Sequence, residues 1–196
     1  MDKRISRLCI FFGVLLMLAG AYLHLFNRAQ TREAEKQSAA ILSRIKTEIS
    51  SEPSSQETVS FSSSFEESSD YLGYLSIPAL ELELPVLAQW DYDKLKLAPC
   101  RFTGSVWEDD LVVMAHNYDH HFGKLSSLSF GDAVYFTDSQ GLSLHYQVAA
   151  TDVLSPTAVT EVTDNAYDLT LFTCTYGGKH RIVVYCEKVW ETEKCA

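Results

Sequence analysis

Three residues with reactive side chains, Cys174, His116 and Arg181, each stand at the edge of an apolar run. A thiolate is a nucleophile that also leaves well. An imidazole moves protons near neutral pH, and a guanidinium can donate several hydrogen bonds to an oxygen that gathers negative charge. Taken singly, each has a plainer reading: a buried thiol, a satisfied surface or core imidazole, and half of a surface ion pair. His120 and His121 lie close to His116, so imidazole alone identifies nothing, and no neighbouring Cys or Glu supplies the usual zinc spacing.

What distinguishes the three is the kind of segment that presents them. Residues 168–181 read DLTLFTCTYGGKHR, an apolar run that suits a buried strand and ends at Cys174, just before a Gly177-Gly178 loop. Residues 111–125 read LVVMAHNYDHHFGKL, where a second apolar run ends at His116 and a polar, glycine-containing loop follows. Arg181 begins the next strand, so its cation emerges near Cys174 if the two strands pair antiparallel. Further short, β-rich segments fall at 73–77, 80–87, 133–137, 142–154 and 181–189, with Pro78 and Pro85 confining the first two to edge or end positions. Asp138-Ser139-Gln140-Gly141 is a good hairpin turn, and 91–97 a brief helix. Seven or eight strands with so little helix predict a closed β-barrel or a sandwich, and exclude a βαβ sheet.

The segments before residue 71 are of another kind. Residues 8–26 read LCIFFGVLLMLAGAYLHLF behind Lys3, Arg4 and Arg7, an apolar run about as long as the roughly 20 residues that cross a bilayer. A cleaved signal peptide would carry a shorter apolar region of about 7 to 15 residues ending at small residues, whereas Leu25, Phe26, Asn27 and Arg28 follow here. The expectation is an uncleaved anchor. Its orientation is not fixed by charge, because Arg28, Arg32, Lys36, Arg44 and Lys46 balance the basic residues in front. From 27 to 49 the residues are good helix formers with Ala34, Ile41, Ile45 and Ile49 in one stripe. From 50 to 70 serine fills 10 of 21 positions with Glu interspersed, the composition of a tether that cannot bury enough surface to order itself.

The formal net charge is −10, and residues 71–196 carry 8 Lys or Arg against 17 Asp or Glu, which makes nucleic acid a poor partner. Among five cysteines, Cys9, Cys100, Cys174, Cys186 and Cys195, there is no C-x-x-C pair and no dense disulfide framework. Cys100 and Cys186 are either a pair formed in an oxidising compartment or free buried thiols.

The run Thr170-Leu171-Phe172-Thr173-Cys174 followed by Arg181 resembles the signature of sortases, the surface-protein transpeptidases of Gram-positive bacteria. Ala115-His116-Asn117 with Phe122-Gly123-Lys124-Leu125 looks like that family's histidine segment, and the resemblance extends over 73–189 in the right order. It implies an all-β, eight-stranded barrel with short helices behind an N-terminal transmembrane helix. Cys174 would be the nucleophile, His116 the general acid and Arg181 the stabiliser of substrate and intermediate. The implied layout is a cytoplasmic N-terminus at 1–7, a signal anchor at 8–26, a juxtamembrane helix and tether at 27–70, and an extracellular catalytic domain at 71–196, a type II topology. The implied partners are surface proteins with an LPxTG-like sorting signal and an amine of a peptidoglycan precursor or of a pilin lysine. No cofactor is called for; calcium helps some family members, but Glu81, Glu83, Glu108, Asp109 and Asp110 form no recognisable loop and are read as solvated surface. The stretch 155–167 resembles the loop that lines the family's sorting-signal groove. The charged ending WETEKCA lacks the second apolar span of many pilin-polymerising members, so housekeeping anchoring is expected before a dedicated single-substrate role. Two alternatives remain from the residues themselves: a hydrolytic cysteine peptidase, and a surface-anchored β binding module without turnover. An L,D-transpeptidase fits badly, because the serine-histidine-glycine run before its cysteine is absent here.

Overall fold

The computed structural model describes residues 3–51 and 70–190. The chain divides into two compact units, Met1–Lys36 and Gln37–Ala196. In the first unit the backbone is helical from Lys3, the start of α1 (Lys3–Ser51). Many of its described side chains are large, apolar and exposed, among them Phe11, Leu16, Met17 and Leu23. Among the described residues no helix is long and apolar enough to cross a membrane. Within the run expected to do so, 8–26, side chains are described only at 10–23 and 25, so that expectation falls partly outside them. The serine-rich stretch at 52–69 and Cys195 also lie outside the described residues.

The second unit is a closed barrel of eight strands in the order β1-β2-β3-β4-β7-β8-β6-β5. They are β1 (Tyr71–Ile77), β2 (Leu82–Leu87), β3 (Cys100–Thr103), β4 (Leu111–Met114), β5 (Ala133–Asp138), β6 (Ser143–Leu154), β7 (Leu169–Cys174) and β8 (Arg181–Lys188). Alternation decides what fills the barrel. Leu75 and Ile77 of β1, Leu111 and Val113 of β4, Phe136 of β5, Tyr146 and Val148 of β6, Leu169 and Leu171 of β7 and Val184 of β8 join the principal core. Closure leaves no long unpaired edge.

Two local choices follow from chemistry noted above. Pro85 has no N–H to give, and β2 pairs along its length only with β1, meeting β3 at the single pair Leu87↔Cys100. The β5–β6 hairpin turns where Asp138 Oδ1 accepts the Gln140 and Leu142 N–H groups at 2.9 and 2.8 Å. In β1, Gly73 sits at φ +156°, where a Cβ would lie 2.0 Å from the Thr137 carbonyl oxygen of β5; no other residue fits.

Two elements were not foreseen. The eighth strand, β3, is only CRFT and shows no alternation long enough to register, and the 155–167 stretch contains a short helix, α3 (Val159–Thr163). Outside the barrel Val162 of α3 joins Val112, Phe172, Val183 and Tyr185 in a second apolar cluster with Phe102, Met114 and Tyr167 at its margin. Helix α2 (Tyr92–Leu97) begins at Asp91, whose carboxylate accepts the Asp93 and Lys94 N–H groups at 2.8 and 2.7 Å as an N-cap. It is fixed to the barrel by Leu95, buried with Leu87, Ala98 and Cys100.

From Gln37 onward α1 belongs to the barrel's unit. Ile45 is fully buried, Lys46 reaches Glu83 of β2 at 2.6 Å and lies 5.2 Å from the Tyr74 ring centroid, and the Tyr71 hydroxyl donates to Glu48. All these partners are on β1 and β2, on the opposite side of the strand order from β7 and β8.

Candidate active site

The three candidate residues come from three neighbouring strands. Strand β7 lies between β4, its parallel neighbour, and β8, its antiparallel one. Cys174 and Arg181 are register partners, so their side chains leave the same face with Cβ atoms about 4.5 to 5.5 Å apart. On the other flank Met114 pairs with Phe172, and two residues beyond that pair come His116 and Cys174. Leu169 and Leu171 point into the principal core and Phe172 into the outer cluster, so Cys174, two residues past Phe172, opens on the outer face.

The junction of β4 with β7 is tied at its end. The Ala115 N–H donates to the Phe172 carbonyl at 3.2 Å, and the buried Thr173 hydroxyl donates to the Ala115 carbonyl at 2.8 Å. Past this clasp the chain coils tightly. The Phe122 N–H donates to the His116 carbonyl at 3.1 Å, and the His121 and Gly123 N–H groups both donate to the Tyr118 carbonyl at 2.9 Å. A Cβ on Gly123 would come within 2.7 Å of that carbonyl, which is why glycine stands there. Phe122, fully buried in the barrel core, anchors the coil.

His116 is half-buried, and its ring stacks on Tyr118 with centroids 4.9 Å apart. Burial, assisted by the Lys96 cation of α2, pushes its pKa below the ordinary imidazole value. His121 is a different kind of histidine. Buried completely beside the imidazoles of His120 and His116, it is pushed down to about 3 and is neutral around pH 7. The neighbouring imidazoles that sequence could not rank are thus unequal.

Cys174 is a free, half-buried thiol, and Cys100 and Cys186 are free and buried. Burial pushes both of the latter up to about 12, so neither is a nucleophile at neutral pH. Arg181 is half-exposed; its Nη1 donates to the Gly178 and His180 carbonyls, each at 3.3 Å. The loop between them is closed by Thr175, whose N–H donates to the His180 carbonyl at 2.9 Å and whose hydroxyl accepts the His180 N–H at 3.0 Å. Among the acidic residues read as solvated surface, Glu83 is paired with Lys46 and Asp109 with Lys188. The sequence reading missed Thr173 as a clasp, Tyr118 as the partner of His116 and Lys96 as the cation that acts on it; only Tyr118, two residues past His116, carried a signal.

A family model for the sortase domain matches residues 75–189. No curated protein matches. Among solved structures, sortase C1 of Streptococcus suis is 26% identical over 65% of this chain and 77% of its own, with a TM-score of 0.54. A sortase D5 transpeptidase of Clostridium perfringens is 19% identical over 79% of this chain and 99% of its own, with a TM-score of 0.63. Sortase C of Streptococcus pneumoniae, whose structure bears on pilin substrate specificity, is 22% identical over 84% and 91%, with a TM-score of 0.57.

Proposed function

Because the chain belongs to the sortase family, we propose that it is a cysteine transpeptidase that cleaves an LPxTG-like sorting signal and passes the acyl group to an amine. One observation carries the reading: Cys174 and Arg181 are partners in the β7–β8 ladder while His116 leaves the parallel neighbour β4 beside them.

In this reading the Cys174 thiolate adds to the carbonyl carbon of the scissile bond. The Arg181 guanidinium, which has more N–H groups than its two loop carbonyls occupy, donates to the oxygen as it gains charge. Losing such a donor typically costs on the order of 10² to 10³ in rate. Collapse of the adduct breaks the C–N bond, protonated His116 gives its proton to the departing amine, and a thioester remains. A second amine then attacks the thioester, neutral His116 takes its proton, and the thiolate leaves. The outer cluster of Phe172, Val162 and Tyr167 gives the sorting signal an apolar bed next to Cys174.

The exposed apolar residues of the first unit suit a lipid environment, since a helix with such a surface finds no stable place in water. They support a membrane anchor, and the type II orientation, with the barrel outside the cell, is read from membership of the family. The amine acceptor is read as a peptidoglycan precursor; the likeness to the Streptococcus pneumoniae sortase C keeps a pilin lysine as the second reading.

The test incubates the protein with a library of sorting-signal-like peptides and, separately, triglycine, diaminopimelate and a lysine peptide, with products read by mass spectrometry. Amine-dependent ligation that disappears in Cys174→Ala is expected, and the productive amine names the acceptor class. Hydrolysis unaffected by any amine would make the protein a peptidase, and no covalent adduct with any peptide would favour a binding module.

A further inference from the structure

We propose that Tyr118 is a positioning residue for His116, setting the plane of its imidazole; this rests on the reading of His116 as the proton carrier. The backbone of His116 is held by the Phe122 N–H, and the residue before it is clasped by Thr173. These contacts fix where the imidazole starts but not its rotation. Among the described residues the ring meets one other face to face, that of Tyr118, at 4.9 Å and an interplanar angle of 29°. Tyr118 is in turn backed by His120, stacked at 5.6 Å, and by His121 at 5.6 Å, and these two imidazoles meet edge to face at 4.6 Å. His121 is wholly buried, so the stack ends on a side chain that cannot move aside.

Among the described residues no carboxylate is hydrogen-bonded to or paired with the His116 imidazole. Its neighbours are Lys96 from α2, Tyr118 and His121 from its own coil, and Cys174 and Arg181 at the adjoining ends of β7 and β8. A ring without a carboxylate to orient it depends on packing for its orientation, and a flat aromatic neighbour supplies that without stabilising the cation as a carboxylate would.

The experiment uses the full chain in detergent with isotope-labelled histidine, and follows the His116 Cε1 proton by NMR as pH is varied. In the wild type that proton is expected upfield of a free imidazole, shifted by the Tyr118 ring, with a midpoint below 6.5. Tyr118→Phe retains the upfield shift, and Tyr118→Leu loses it. With an LPxTG peptide and triglycine, Tyr118→Leu is expected to lower kcat about tenfold with KM within twofold, as a misplaced catalytic group does, and Tyr118→Phe to restore it. A wild-type proton without the upfield shift, a Leu variant indistinguishable from wild type, or a Phe variant as impaired as Leu would each overturn the proposal. His116→Ala is run alongside: if it ligates at the wild-type rate, the proton-carrier reading fails, while the NMR readout still judges the stack.

Discussion

Burial separates the three described thiols into one that can react, Cys174, and two that cannot. Cys100 and Cys186 would have to expose a charge inside the barrel wall, and burial holds them at about 12. Brief treatment with iodoacetamide at pH 8 should therefore alkylate Cys174 and leave Cys100 and Cys186 untouched until the fold is denatured, as peptide mass mapping would show. Labelling of Cys186 in the native protein would refute the burial argument. His116 yields a second expectation with a definite sign. Its pKa is lowered by burial and by Lys96, so its protonated fraction falls away as pH rises through a midpoint below 6.5. The histidine-dependent limb of kcat/KM should lie below 6.5 and move upward in Lys96→Gln, which removes the opposing cation. A downward move would contradict that assignment of the cause.

At the scale of the element, the site is a matter of where strands stop. The Thr173 hydroxyl joins the ends of β4 and β7 at the point from which His116 and Cys174 both depart. Thr173→Val leaves the Ala115 carbonyl without its buried partner, a loss of about 1 to 3 kcal/mol, which a denaturant titration would measure; a neutral result would show that the strands hold their register without the clasp. The His116 coil brings its own pH dependence. His121 titrates near 3 when folded and near 6.5 when unfolded, so the unfolded chain binds the extra proton between those values. Stability from this group is complete above 6.5 and is lost progressively as pH falls toward 3; His121→Leu should flatten that acid limb. The apolar runs before Cys174 and His116 and the Asp138–Gly141 turn were legible in the sequence because each has a local cause: a strand-length apolar run, a glycine, a side chain that caps its own turn. Strand β3 and the Tyr118 stack were not, because four residues hold no readable period and a stack depends on how a coil folds back.

For the whole molecule, closure of the barrel sets the site against the helix. Helix α1 docks from Gln37 onward on β1 and β2, across the strand order from β7 and β8, so the docked segment leaves the Cys174 face uncovered. Sequence composition marked the 27–49 stripe as helical without indicating that Ile45 would be buried against the barrel. Its helical repeat was readable, but its partner surface is assembled from strands far along the chain. Ile45→Ala should cost about 2 to 5 kcal/mol, the usual range for a buried isoleucine, seen as a lower midpoint in thermal unfolding; an unchanged midpoint would mean that the helix adds nothing to the barrel. The most direct measurement for the central claim is the intact mass of the protein after brief exposure to a sorting-signal peptide without an amine. An added acyl mass that hydroxylamine removes, that maps to Cys174 and that is absent from Cys174→Ala is the predicted result; the same hydroxylamine-sensitive adduct formed on Cys174→Ala would contradict it.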